Sequence, residues 1–122
     1  MLNILAVFTG GGTGAICRYL ATKLSAKYIG SCIWGTLSVN ILGCFLIGYI
    51  FALTMQKAAS MPPAVKLFLT AGFLGGLTTF STFSMEAFGF LKDGKILNAI
   101  FYLSASVVLG LAATYGGYLL GK

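Results

Sequence analysis

The sequence predicts an all-α membrane protein with four transmembrane helices, and three observations carry that prediction. Of its 122 residues, 58% are hydrophobic and 8% are charged, where soluble domains carry roughly 25% charged residues. The mean hydropathy is +0.96. Four apolar runs each reach the roughly 20 residues that a spanning helix needs. They are joined by short links, so that consecutive helices are antiparallel neighbours. Residues 1–122 read as a single four-helix transmembrane domain.

The formal net charge is +6, but the basic residues are scattered between apolar runs. They read as anchors at lipid headgroups rather than as a nucleic-acid patch. Three cysteines, Cys17, Cys32 and Cys44, are odd in number and far apart, and histidine is absent. A zinc site therefore has no ligand set, and the cysteines read as free thiols. No base, metal cluster or activated nucleophile can be assembled, which argues against an enzyme.

The first span runs from Leu2 to Leu24 and holds Gly10-Gly11-Gly12-Thr13-Gly14-Ala15. It continues well beyond the apolar region of a signal peptide and reads as a spanning helix. The phosphate-loop pattern needs a following Gly-Lys-Ser/Thr that is absent, and Cys17 stands where a dinucleotide motif has its third glycine. Gly10 with Gly14, and Gly11 with Ala15, form the small-xxx-small spacing of close helix packing. Arg18 lies within the span. Its guanidinium either snorkels to the surface as a helix-end anchor or binds a carbonyl or carboxylate inside.

After a link over Ser25–Ser31, the second span runs from Cys32 to Met55. Thr36, Asn40 and Gly43 fall on one helical face. The Asn40 amide is costly to leave unbonded in lipid, so it serves either as an interhelical hydrogen bond or as a pore lining.

The third span, from Ala64 to Leu91, follows the link Gln56–Pro63, where Pro62-Pro63 suits a helix start. Its middle reads Gly72-Phe73-Leu74-Gly75-Gly76-Leu77-Thr78-Thr79-Phe80-Ser81-Thr82-Phe83. Glycine, threonine and serine all rank below alanine as helix formers, and adjacent threonines crowd at χ1. The spacing predicts a break near Gly75–Thr79. Irregular backbone at membrane depth survives only where protein buries it or where it lines a watery cavity. Transporters use such half-helix ends to hold ions, so this stretch is a candidate ion site. Phe80 and Phe83 stand among hydroxyl residues that make poor lipid neighbours. A ring presented edge-on attracts an anion without trapping it.

The fourth span runs from Ile96 to Leu120 after the link Lys92-Asp93-Gly94-Lys95. Tyr102, Ser106 and Gly110 recur every four residues on it, a third polar stripe. One bundle of this size cannot bury three polar stripes and also enclose a pore, so self-association is expected.

Three segments resemble the Fluc (CrcB) fluoride channels: Gly11 to Tyr19, Gly35 to Gly43, and Gly72 to Phe83 with its Thr-Thr-Phe-Ser-Thr-Phe core. The resemblance covers essentially the whole chain, and the third segment is its most specific part. It implies a fluoride-selective channel that exports fluoride passively across a prokaryotic plasma (inner) membrane and protects the cell from it. It implies a dual-topology, antiparallel homodimer with two pores. By the same match, Phe80 and Phe83 line the ion path, Asn40 donates to fluoride, and the backbone carbonyls of Gly75 and Thr78 from both subunits hold a central sodium ion. Ser81, Thr82, Tyr102 and Ser106 extend the polar track, and Arg18 serves the structure near a pore entrance. Fluoride, a second copy of the chain and membrane lipid are the implied partners.

Two other classes compete. A small four-helix drug/proton antiporter needs a membrane-embedded carboxylate, which the first span lacks, and Glu86 falls after the break. A non-transporting assembly subunit leaves the hydroxyl-rich break without a purpose.

Charge counting bears on orientation. With four spans, the N-terminus, the 56–63 link and the C-terminus share one side, which carries three basic residues, Lys57, Lys66 and Lys122. The other side carries four, Lys23, Lys27, Lys92 and Lys95, or five with Arg18. Orientation follows the bias of lysine and arginine in short loops. So small a bias predicts insertion both ways, which an antiparallel pair of identical chains requires.

Overall fold

The computed structural model describes residues 1–56 and 61–122. Helix α1 is Leu2–Ile29 and α2 is Ile33–Gln56. The third span is composite: α3 (Pro63–Leu67), a π-helical stretch (Phe68–Leu74), α4 (Gly75–Leu77), and then α5 (Phe80–Lys92) beyond a break at Thr78 and Thr79. Helix α6 is Ile96–Gly121. With 63–92 taken as one unit, four spans are long and apolar enough to cross a membrane, and the chain is an integral membrane protein. Lys57, used in the charge count above, lies outside the described residues.

The first link is shorter than expected, because α1 continues past Leu24 to Ile29. Ser25 is buried and donates its hydroxyl to the Ser31 carbonyl at 2.6 Å. The helix stops at Gly30, whose φ of 80° is left-handed and whose N–H returns to the Ala26 carbonyl at 3.2 Å. That is the ordinary glycine stop. The link at 92–95 is the tight turn its composition suggests, with Gly94 at φ 72° and the Lys95 N–H on the Phe90 carbonyl at 2.8 Å.

Lipid tails are as apolar as leucine, so spanning helices associate through close packing and interhelical hydrogen bonds. Both are present. The glycine face of α1 lies against the first half of the third span. A Cβ added at Gly10 would stand 2.8 Å from the Phe73 amide nitrogen, and one at Gly14 would stand 2.8 Å from that of Leu77. The stripe is helix packing, as its spacing indicates. Helix α2 lies equally close to α6, where a Cβ at Gly48 would run into the Thr114 carbonyl and one at Gly117 into that of Phe45. The small buried core of Val39, Leu74 and Leu77 sits where α2 meets the third span. Large side chains such as Phe8, Leu97 and Phe101 face outward, as expected where the solvent is lipid.

The π-helical stretch was not legible in the sequence. It carries the Gly72 and Phe73 backbone that α1 packs against. Single π turns inside α-helices recur at functional sites, and this one leads directly into the break.

Candidate functional site

The break is made by two residues in extended conformation, Thr78 (φ −86°, ψ 156°) and Thr79 (φ −151°, ψ 122°). A helix interrupted inside a membrane frees carbonyls on one side and N–H groups on the other, and each needs a partner. Asn40 supplies two. Its Oδ1 accepts from the Thr79 N–H at 2.8 Å, and its Nδ2 donates to the Thr79 carbonyl at 3.0 Å. The Thr79 side chain caps α5 by accepting from the Thr82 N–H at 3.2 Å. Thr78 folds back, its N–H at 3.0 Å and its Oγ1 at 2.8 Å from the Leu74 carbonyl. Arg18 reaches in from α1, and its Nε donates to the Gly76 carbonyl at 3.0 Å. Of the readings open for Arg18, the structure shows carbonyl binding.

The break removes the regular helical donors of the Gly75, Gly76, Leu77 and Thr78 carbonyls; Gly76 is taken by Arg18, and for two others the donor is seen to be diverted. The Thr79 N–H, which a continuous helix would give to the Gly75 carbonyl, goes to Asn40. The Thr82 N–H, which would go to the Thr78 carbonyl, goes to the Thr79 hydroxyl. Gly75 and Thr78 are the pair whose carbonyls the family resemblance implies as ligands of a cation.

An open groove of about 480 Å³ runs beside the break, lined among others by Asn40, Gly75, Thr78, Phe80, Phe83 and Ser106. None of the described residues that line it is charged. The Phe80 and Phe83 rings are tilted at 51° with centroids 5.7 Å apart. Phe80 is 79% exposed in the single chain, an unusual setting for a ring beside so many hydroxyls. Asn40 spends one of its two amide hydrogens on the Thr79 carbonyl and is itself one of the residues lining the groove.

Ser106 is distinctive. Hydroxyls in spanning helices commonly bond back to a carbonyl one turn earlier, and Thr9, Thr13, Thr22, Ser38, Thr70 and Thr114 all do so here. The Ser106 Oγ is buried and has no hydrogen-bond partner among the described residues. A buried, unsatisfied donor requires an explanation, and this one lines the groove.

The remaining candidates lie elsewhere. Ser81 is exposed at the start of α5, with its Oγ 3.3 Å from the Thr79 hydroxyl. Thr82 lines a separate cavity of about 360 Å³ together with Arg18, Thr36 and Glu86. Tyr102 stands behind the groove. Its ring lies 5.3 Å from Phe83 and 6.1 Å from Phe90, and its hydroxyl donates to Glu86 Oε2 at 2.6 Å.

Glu86 is the residue whose role the sequence did not disclose. Its other oxygen, Oε1, accepts from Thr36 at 2.8 Å, and Thr36 is completely buried. The carboxylate thus ties α2, α5 and α6 together with both oxygens engaged, unlike a carboxylate left free to take up protons or cations in turn. Thr36, Asn40 and Gly43 all contact the third span, because a Cβ at Gly43 would run into the Thr78 methyl. The polar face read on α2 is the seam that holds the broken span.

Over residues 5–118 the chain matches the family described as CrcB-like protein, Camphor Resistance (CrcB). It is 43% identical to a fluoride-specific ion channel FluC of Agrobacterium fabrum, covering 100% of this chain and 98% of that one. It is 43% identical to the protein of that name in Aquifex aeolicus, over 98% and 96% of the two chains. A third, from Hydrogenobaculum, is 39% identical over 98% of each.

Proposed function

The chain belongs to the CrcB-like family, and on that premise we propose that it is a fluoride-selective channel that lets fluoride leave the cell passively. The names of its relatives support this reading, and the structural observation that supports it most is Ser106, a groove-lining residue whose buried hydroxyl has no hydrogen-bond partner among the described residues. Fluoride only accepts hydrogen bonds and is tightly hydrated, so a path through lipid must replace its water with donors. Asn40 and the rings of Phe80 and Phe83 stand at the groove, and the Ser106 hydroxyl lies just beneath its wall, where a small shift of α6 would bring it to the ion. With no charged side chain among the described residues that line it, the groove can admit an anion without trapping it. Hydrogen fluoride enters cells as a neutral weak acid and dissociates inside. A path for the anion then lets the negative-inside potential drive it out.

The working unit in this reading is an antiparallel homodimer of dual topology with two pores. The groove is open along one side and Phe80 is largely uncovered, so a second copy would complete the wall. The weak charge bias fits insertion both ways. The carbonyls of Gly75 and Thr78, their regular donors diverted, suit a hard cation that prefers oxygen ligands, and these residues from both subunits would hold a sodium ion. Such an ion would supply positive charge at membrane depth and satisfy carbonyls at the half-helix end. The chain's own residues do the rest: Asn40 fixes the break, Phe80 and Phe83 shape the path, and Glu86 with Tyr102 and Thr36 holds α5 in place.

A cellular test is direct. A bacterial strain without fluoride export should grow in fluoride when it expresses this chain and should accumulate less of the ion. Continued sensitivity with the protein present in the membrane would contradict the reading.

A further inference from the structure

We propose that Arg18 is a positioning residue for the cation site, setting its affinity from outside it; the proposal rests on the sodium reading above. The α4 stretch contains Gly75-Gly76, the most freely rotating dipeptide available, at the point where a cation would need fixed carbonyls. Two pins bracket Gly75. On one side, the Leu74 carbonyl takes both the N–H and the hydroxyl of Thr78, at 3.0 and 2.8 Å. On the other, the Gly76 carbonyl takes the Nε–H of Arg18 at 3.0 Å. Gly76 faces α1 so closely that a Cβ there would stand 3.0 Å from the Ala15 nitrogen. Arg18 follows Ala15 by three residues and shares its face. The guanidinium thus draws one carbonyl toward α1, while Gly75 and Thr78 line the groove on the other side. Without that bond the Gly76 carbonyl would be an unsatisfied acceptor beside a flexible turn. Its peptide plane would sample orientations that disorder the two neighbouring ligands.

Arginine suits this task better than lysine, because its Nε–H lies in a rigid plane whereas an ammonium is a rotating point charge. The role differs from that of a surface anchor, which any long cationic side chain could fill.

The test reads sodium binding rather than transport. Purified dimer is titrated with sodium, and the midpoint is taken from the rise in melting temperature, which follows occupancy by mass action, and from sodium-23 NMR. Arg18→Met should raise the midpoint by about tenfold or more, with dimer size unchanged in high sodium. Arg18→Lys should fall between it and the unsubstituted protein. If Arg18→Met does not purify folded, Arg18→Lys decides, and a rise of about threefold supports the proposal. A sodium response whose midpoint neither variant shifts overturns the role of Arg18 alone. No sodium response in the unsubstituted protein removes the cation site and this proposal with it.

Discussion

The side-chain amide of Asn40 closes on both backbone groups of Thr79, accepting from its N–H at 2.8 Å and donating to its carbonyl at 3.0 Å. One side chain on α2 thereby takes up a backbone N–H that the third span frees at its break and grips the same residue by its carbonyl, and the break becomes a fixed feature. Asn40→Leu keeps the approximate volume and leaves the Thr79 N–H unpaired, while the Thr79 carbonyl keeps the first helical bond of α5. It should cost about 1–3 kcal/mol, the usual penalty for stranding a buried polar group, and should abolish fluoride flux. Thermal unfolding in detergent and efflux from vesicles would measure the two effects. An unchanged melting temperature would mean that the break is held by other bonds.

Gly43 and Thr78 form a second coupled pair, because a Cβ at Gly43 would collide with the Thr78 methyl. Thr78→Ser removes that methyl and keeps a hydroxyl for the Leu74 carbonyl, so it should retain flux. Gly43→Ala should push Thr78 aside and lower flux by about tenfold or more, the effect of about 1.4 kcal/mol in a barrier. The double variant should recover most of the loss. If Gly43→Ala and Thr78→Ser act independently, the contact does not control the groove.

Phe80 and Phe83 should separate in their effects. Phe80 is largely uncovered in the single chain, so Phe80→Ile leaves no internal void. It should cut fluoride flux severely while folding and dimerisation persist. Phe83 packs against Tyr102 at 5.3 Å, so Phe83→Ile should lower both flux and melting temperature. Flux and oligomer size measured on both variants check this. Unchanged flux in Phe80→Ile would reduce that ring to packing.

Much of this arrangement is legible in the sequence. The four spans follow from apolar run length, and the break follows from three glycines and paired threonines in an apolar context. The packing role of Gly10 and Gly14 follows from their spacing. What the sequence hid depends on distant partners. Nothing local tells that both Glu86 oxygens are taken, since Thr36 is 50 residues away. Nor does spacing tell that Ser106 makes no bond to its own helix while Thr114, two turns on, does. The extension of α1 to Ile29 relies on the bond from Ser25 to the Ser31 carbonyl, a contact made only once the chain has turned. The π-helical stretch at Phe68–Leu74 has ordinary helix-forming neighbours, and its conformation tracks the glycine face of α1 that packs on it.

Orientation offers an independent test. Three basic residues on one side face four or five on the other, so added charge should tip the balance. Two or three extra lysines in the 56–63 link should lock one orientation and abolish efflux. Co-expression with a copy carrying extra lysines in the 92–95 link should restore it. Labelling of single introduced cysteines from each face of the membrane would report the orientations, and one-sided labelling of the unmodified background would rule out an antiparallel pair.

The most direct measurement of the central claim is efflux from vesicles containing only this protein, followed by fluoride and chloride electrodes with potassium permeability supplied to balance charge. The account predicts rapid release of fluoride, negligible release of chloride, and loss of the fluoride signal in Phe80→Ile. Equal release of the two anions, or no release of fluoride from vesicles that contain folded dimer, would contradict it.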